Sequence, residues 1–360
     1  MKRAPPTAEY TEFACLGAGT FKEVYRAKNG AQEAVALAAI KPLEGEGAGV
    51  SVETIREIKL LNELQHEHVV QLRKVFFAEG NSEVWLETEL GEGDLEDVIK
   101  SPTAFLTPSH VKSYLRMLLR GLEYLQSRWV VHRDLKPGNL LCGGGGKLKI
   151  FDFGMAVLYG DGVAPTATAR ERSGDQRVVT LEYRAPELLL GTEFYGPAVD
   201  MWSAGCIFGE LLLGQMMFPG TQLGTEEAVR KGMAEWENQA AWLVKPRRHQ
   251  RNQMMRHEQE LSQLNCIFAV LGTPSKQEWP QMEHLPKKVA QRGIAVSQLR
   301  ERLSGHCSEE GMALLESMLH FNPEKRPSPA EALRSAYFSE EPPPTPPAGL
   351  KAWLEASKAV

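Results

Sequence analysis

Cysteine is scarce in this sequence: five residues in 360, Cys15, Cys142, Cys206, Cys266 and Cys307, with no Cys-x-x-Cys pair among them. That spacing argues against both a zinc site and a disulfide framework, and it fits a reducing compartment, the nucleus or the cytoplasm. An excess of one charge is lacking as well. A formal net charge of -5 gives no electrostatic case for nucleic acid as the main partner. Long apolar runs are absent too: the most membrane-like segment, Met201 to Phe218, contains Glu210 and three glycines and falls short of the roughly 20 apolar residues a span needs. It reads as a buried helix, and no membrane partner is expected. The opening MKRAPPTAEYTEF has no apolar run behind its basic residues, so it does not read as a secretory signal.

What is present is ordinary globular material, 42% hydrophobic and 24% charged, in a chain long enough for two domains or one large two-lobed domain. Short runs such as EVYRA, EAVALAAI, VVQLRKVFF and SEVWLETEL, separated by turn residues, make residues 10–90 strand-rich. One helical pattern interrupts them, SVETIREIKLLNEL, with Ile55, Ile58, Leu61 and Leu64 at helical spacing. Beyond Gly91 and Gly93, a plausible hinge, helical patterns dominate, and LLC and KLKIF are the only strand-like pieces. The expected architecture is α+β: a small β-rich lobe with one helix, then a larger helical lobe. Residues 221–259 look like a helical insertion whose Lys245, Arg247, Arg248, Arg251 and Arg256 read as a solvated face, or more sharply as a docking or nuclear-import patch. Residues 339–360 begin SEEPPPTPPAGL, too proline-dense for helix or central strand, and are expected as an extended tail; residues 1–9 are a short extension.

The chemistry is carried by VVHRDLKPGNLL and KIFDFG. Asp134 in His-Arg-Asp is followed by Asn139 five residues on and by Asp152 thirteen residues after that. Phosphoryl transfer to a hydroxyl needs a carboxylate to accept the proton, a cation against the moving charge, and oxygen ligands for Mg²⁺. At this spacing, behind a β-rich lobe, the combination is specific, and the chain resembles the eukaryotic protein kinases over nearly its whole length, about residues 10–338.

That resemblance implies a bilobal kinase fold and a set of roles. Asp134 would be the catalytic base, Lys136 the contact to the transferred phosphoryl group, and Asn139 and Asp152 the Mg²⁺ ligands. Ala185-Pro186-Glu187 would close the activation segment with Arg326 as the buried partner of Glu187, and Asp200 would brace the catalytic loop. For ATP, the resemblance implies Leu16, Gly17, Gly19 and Val24 above the nucleotide and Leu141 below it. Thr88 would be the gatekeeper, Glu89 and Gly91 would offer backbone bonds to adenine, and Asp94 would face the ribose. SVETIRE, VVTLEYRAPELLLG and LGTPSKQEWPQMEHLP are similar to the cyclin-dependent kinases, most of all to those that activate other cyclin-dependent kinases. A cyclin-type partner, Ser/Thr substrates followed by proline, and Glu57 as the acid that pairs the ATP lysine are implied.

Departures from the pattern raise the open questions. Asp175 stands at the activating threonine, with Arg56 and Arg133 matching two arginines of the usual phosphate grip and Val157 in place of the third. Asp175 is expected to substitute permanently for the phosphate; the alternative is phosphorylation of the neighbouring Ser173. Phe21 replaces an inhibitory tyrosine, leaving Thr20 as a brake. Lys22 stands where the glycine loop usually has its third glycine, and Glu182 stands in place of a tryptophan. The ATP lysine itself admits two readings. Aligned without gaps, VALAAIK puts Ala38 on it. With a short insertion, Ala39 lies beneath adenine and Lys41 follows on the same strand face. The Lys41 register is preferred because the base and both metal ligands are intact. The Ala38 register points instead to a pseudokinase scaffold that binds a cyclin or nucleotide.

Overall fold

The computed structural model describes residues 6–18, 22–41, 50–78, 83–160, 164–165, 180–192, 194–220, 248–287 and 296–358. Strands β1 (Thr11–Ala18), β2 (Lys22–Lys28), β3 (Ala34–Ile40), β4 (Leu72–Phe77) and β5 (Val84–Glu89) form one antiparallel sheet in the order β1-β2-β3-β5-β4. Helix α1 (Val52–Glu63) starts where the Ser51 side chain accepts the Thr54 N–H at 3.1 Å.

The alternation of β3 sorts its residues between the two faces of the sheet. Val35, Leu37 and Ala39 join Tyr10, Tyr25 and Trp85 in one buried cluster on the outer face. On the other face Ile40, Val84 and Leu86 pack with Ala38 and with Ile58 of α1. Ala36, of the same parity as Ala38, sits opposite Thr88 on β5. The preferred sequence register is thereby corrected: Ala39 belongs to the outer core, and the small residues on the face toward α1 are Ala36 and Ala38.

The second lobe begins with β6 (Gly91–Asp94), at the glycines read as a hinge. The stretch is a short strand, paired with β8 (Leu140–Gly143), which pairs with β9 (Lys147–Ile150). Two further short pairs went unforeseen in the sequence: β7 (Val130–Val131) with β10 (Val157–Leu158), and β11 (Ala164–Pro165) with β12 (Phe194–Tyr195). Two-residue strands carry no periodic signal, and only the tertiary fold brings their partners together. The helices are α2 (Leu95–Lys100), α3 (Pro108–Ser127), α4 (Pro186–Leu189), α5 (Ala198–Leu213) and α6 (Arg248–Leu271), then α7 (Leu299–Arg302), α8 (Glu309–Met318), α9 (Pro329–Leu333) and α10 (Pro347–Lys358). Helix α5 is buried without a break from Val199 to Leu211, which explains its membrane-like sequence. No described helix is long and apolar enough to cross a membrane. The expected insertion lies outside the described residues up to residue 247, as do the side chains of its basic cluster; α6 continues it from Arg248.

The C-terminal segment departs from expectation. Its first prolines lie outside helix and strand, but from Pro347 the chain is helical, because proline is tolerated in a helix's first turn. The segment is bound to α3: buried Lys112 donates to the carbonyls of Glu340 and Pro342, each at 2.9 Å, and Trp353 packs in a tilted arrangement on His110 at 4.3 Å between centroids. Farther along, Lys358 donates to the Glu92 carbonyl at 3.0 Å, so the end of the chain reaches β6.

At the base of the helical lobe Arg326 and Glu187 form a fully buried, two-bonded ion pair, both contacts 2.7 Å. The guanidinium also donates to the carbonyls of His320, Ala198 and Phe321 and lies 5.0 Å from the Trp202 ring centre. Removing one partner strands the other charge in the interior. Arg326→Ala should therefore lower unfolding free energy by about 3–5 kcal/mol in a urea titration, and a variant with wild-type stability would refute the pair's structural role.

Candidate active site

The catalytic segment follows β7 and is shaped from below by one buried carboxylate. Asp200, in the first turn of α5, accepts the backbone N–H of His132 at 2.7 Å and of Arg133 at 2.9 Å. Burial pushes its carboxyl up, and these two hydrogen bonds oppose that shift. Arg133 is held at φ 71, a left-handed conformation costly for a side-chain-bearing residue, and the two N–H bonds fix it there. His132 is buried, with Nε2 3.1 Å from the Phe151 carbonyl and its ring edge-on to Phe153 at 5.0 Å.

Above this brace the charged groups converge. Asn139 Nδ2 donates to the Asp134 carbonyl at 2.7 Å and to its Oδ2 at 3.0 Å. Lys136 Nζ lies 3.7 Å from Asp134 Oδ2 and donates to the Thr180 hydroxyl at 2.9 Å. Burial raises the Asp134 carboxyl above its ordinary value, against the pull of Lys136 and His132, a shift that would suit a proton acceptor. The Asn139 carbonyl accepts the Phe151 N–H at 3.1 Å, which holds the metal-ligand candidates Asn139 and Asp152 on adjoining backbone. With its N–H donors spent on Asp134, Asn139 offers an amide oxygen, and Asp152 offers a carboxylate. Among the described residues no group of three or more His, Cys, Asp or Glu is gathered for a metal. Two protein oxygens completed by substrate phosphates are what Mg²⁺ takes, so the donor set fits it.

The residues proposed around the nucleotide fall on both lobes. Val24 on β2 pairs with Gly17 and with Ala38, and Leu16 on β1 is exposed. Leu141 on β8 lies so close beneath Gly91 that a Cβ there would come within 2.4 Å of it, which explains the glycine. The Glu89 carboxylate is occupied by the Gln71 N–H and by Lys149 Nζ, both at 2.9 Å, leaving backbone bonding as its remaining contribution. Asp94 caps α2, its carboxylate accepting the Asp97 N–H at 2.9 Å. Gly19, Thr20, Phe21, Ser173 and Asp175 lie outside the described residues. Of the residues assigned to the activation grip, Arg56 sits half-buried on α1. Arg133 donates to the Met155 carbonyl and the Tyr195 hydroxyl, each at 2.6 Å, while Val157 on β10 pairs with Val131.

The lysine opposite Glu57 is the main correction. Lys41 lies just past β3 with the parity of Ala39, and its Nζ is 3.8 Å from Glu23 Oε1; Glu23 is itself the cross-strand partner of Ala39. It does not reach Glu57. Lys22 does: its Nζ is 3.2 Å from Glu57 Oε1 and 2.8 Å from Asp152 Oδ1. Burial works against the Lys22 ammonium, yet the two carboxylates outweigh it and hold the proton more firmly than water would. Burial raises Glu57, and the same burial at Asp152 is overcome by Lys22, which brings that carboxyl below its ordinary value. The signal for Lys22 was present in the sequence as a missing glycine, and its two-residue offset from Val24 gave its strand face.

Comparison with known proteins agrees with this geometry. The family model "Protein kinase domain" matches residues 10–338. Cyclin-dependent kinase D-1 of Arabidopsis thaliana is 38% identical over 344 residues, covering 95% of this chain and 74% of that protein. Cyclin-dependent kinase 7 of Xenopus laevis is 36% identical, covering 94% and 83%. Among solved structures, the crystal structure of the yeast RNA Pol II CTD kinase CTDK-1 complex matches with a TM-score of 0.74 at 30% identity, over 97% of this chain and 98% of that one.

The brace beneath the catalytic segment is open to test. Asp200→Asn replaces one acceptor oxygen with a donor and leaves one of two buried N–H groups unmatched, a loss of about 1–3 kcal/mol. Its melting temperature should drop, and any turnover should fall with little change in the KM for ATP; wild-type values of both would refute the role.

Proposed function

The chain belongs to the cyclin-dependent kinase family of protein kinases, and from that premise we propose that it is an active Ser/Thr kinase that transfers the γ-phosphate of ATP to a hydroxyl followed by proline, under the control of a cyclin. The observation that carries this reading is the Asp134-Asn139-Lys136-Thr180 cluster beside Asp152. A scaffold that had given up phosphoryl transfer has no physical need to keep a half-buried carboxylate with a raised proton affinity beside an ammonium and two oxygen ligands.

Each residue has a task in that reaction. The Asp134 carboxylate orients the acceptor hydroxyl and takes its proton. Lys136, steadied by Thr180, lies against the negative charge that shifts during transfer. Asn139 and Asp152 would hold Mg²⁺, whose charge offsets that of the phosphates. Ala36, opposite Thr88, the residue read as gatekeeper, carries only a methyl group and would leave room for a flat base. The relatives bearing the name cyclin-dependent kinase support a cyclin partner, and so does α1, where Val52 and Ile55 leave 67% and 57% of their surface uncovered.

Regulation follows from the same reading. Asp175 would supply the fixed negative charge that Arg56 and Arg133 answer to, with Val157 in place of a third cation.

Two measurements test this function. With a cyclin partner and a Ser-Pro peptide, Asp134→Asn should lower turnover by about 10²–10⁴-fold while Mg²⁺-ATP binding persists; undiminished turnover, or a wild-type chain that transfers no phosphate with any cyclin tried, would reject it. Asp175→Ala should cut activity sharply while Ser173→Ala leaves it intact, and the reverse pattern would assign activation to phosphorylated Ser173.

A further inference from the structure

The cation facing Glu57 comes from a strand and a position that the family pattern does not use. We propose that Lys22, on β2 at the place of the phosphate loop's third glycine, is the residue that binds the α- and β-phosphates of the nucleotide, and that Lys22 and Ala38 are two halves of one exchange that moved this charge from β3 to β2. The proposal rests on the kinase reading for its ligand, and its test separates the two.

The geometry of the sheet makes such an exchange possible. Val24 pairs directly with Ala38, and Lys22 stands two residues before Val24, so Lys22 and Ala38 are diagonal neighbours on one face of the sheet. Diagonal cross-strand neighbours lie roughly 7–8 Å apart, within reach of a long side chain. A lysine starting from either position can bring its ammonium to the same point. At position 38 the chain has only a methyl group, too short to reach Glu57.

The electrostatics make the exchange reciprocal. Glu57 is buried and Asp152 faces it, so the site needs one cation, and Lys22 serves both at 3.2 and 2.8 Å. A second ammonium from position 38 would repel the first in a space that excludes most water. One lysine and one alanine is therefore a balanced pair of changes, whereas Ala38 alone would leave two carboxylates facing each other unpaired. Lys41 cannot fill the gap, since its side chain lies on the outer face with Glu23.

The ammonium also lies where phosphates must pass. It contacts Asp152, the candidate metal ligand, and extends from the strand that follows Gly17 and Gly19 in the phosphate loop. A cation in that place meets the phosphates and makes no contact with the base or the ribose. The competing explanation is a latch, in which Lys22 neutralises Asp152 and blocks the metal. The two predict opposite signs when Lys22 is removed.

The experiment measures equilibrium binding of Mg²⁺-ATP and of adenosine to the full-length chain, for wild type, Lys22→Ala, Lys41→Ala and the double variant Lys22→Gly/Ala38→Lys. Lys22→Ala should weaken ATP binding at least about tenfold, as loss of one partner from a buried charge contact does, while adenosine binding stays near wild type. Lys41→Ala should bind both ligands as wild type does. The double variant should regain most of the ATP affinity, a gain that misfolding cannot imitate. Unchanged or tighter ATP binding by Lys22→Ala, or a wild-type chain that binds ATP no better than adenosine, would overturn the proposal. A wild type that binds ATP through Lys22 yet transfers no phosphate would leave this inference standing and remove the kinase reading.

Discussion

Two carboxylates that face each other across a partly dry cleft need a cation between them, and in this protein the need is met by Lys22. Glu57 comes from α1, Asp152 from the Asp-Phe-Gly turn and Lys22 from β2, so one ammonium joins the sheet, its helix and the helical lobe. If α1 swung outward, Glu57 would lose its partner, and Asp152 would keep only half of the arrangement. The interaction therefore sets both the distance between the lobes and the position of the helix on which a cyclin would act. It also holds Asp152 in its left-handed conformation at φ 65, which an aspartate tolerates better than most residues.

The helical lobe solves a similar problem with backbone donors instead of a lysine. Asp200 is buried as deeply as Glu57, and its charge is met by two N–H groups of the catalytic segment. Each buried acid thus organises the chain around it because leaving it unmatched is costly. Glu187 with Arg326 is a third instance, with a guanidinium as the partner.

Much of this was legible in the sequence, and the part that was not has a specific cause. Asp134, Asn139 and Asp152 stand within one short span at informative spacing, and the structure brings them together with Lys136. The pairing of Glu187 with Arg326 needed the family resemblance, since 139 residues separate them. The sequence pattern puts the cation facing Glu57 on β3, whereas the structure supplies it from β2. Parity links Ala39 with Lys41, but parity alone does not say which face of a strand looks into the cleft. That is settled by the neighbours: Trp85 and Tyr25 enclose Ala39 on one side, and Leu86 and Ile58 lie against Ala38 on the other. The C-terminal helix was missed for a related reason. Its prolines speak against helix locally, and the contacts that stabilise the segment, Lys112 and His110 on α3, are more than 200 residues away in sequence.

On the proposed reading the two lysines of the site would divide the work by position. Lys136 stands beside Asp134 and Thr180, on the side where an acceptor hydroxyl must approach; Lys22 stands beside Asp152 and Glu57, on the side of the nucleotide loop. Each ammonium is paired with the carboxylate whose charge it balances, so neither is stranded when the cleft is closed to water. What phosphoryl transfer requires of these groups is where the charge stands, and the strand that supplies it is immaterial. A cleft with Ala38 on β3 and Lys22 on β2 meets that requirement with the same number of cations and the same acidic partners. On the proposed exchange, the alanine at position 38 and the missing glycine before Glu23 are one feature of the site, read at two places in the chain.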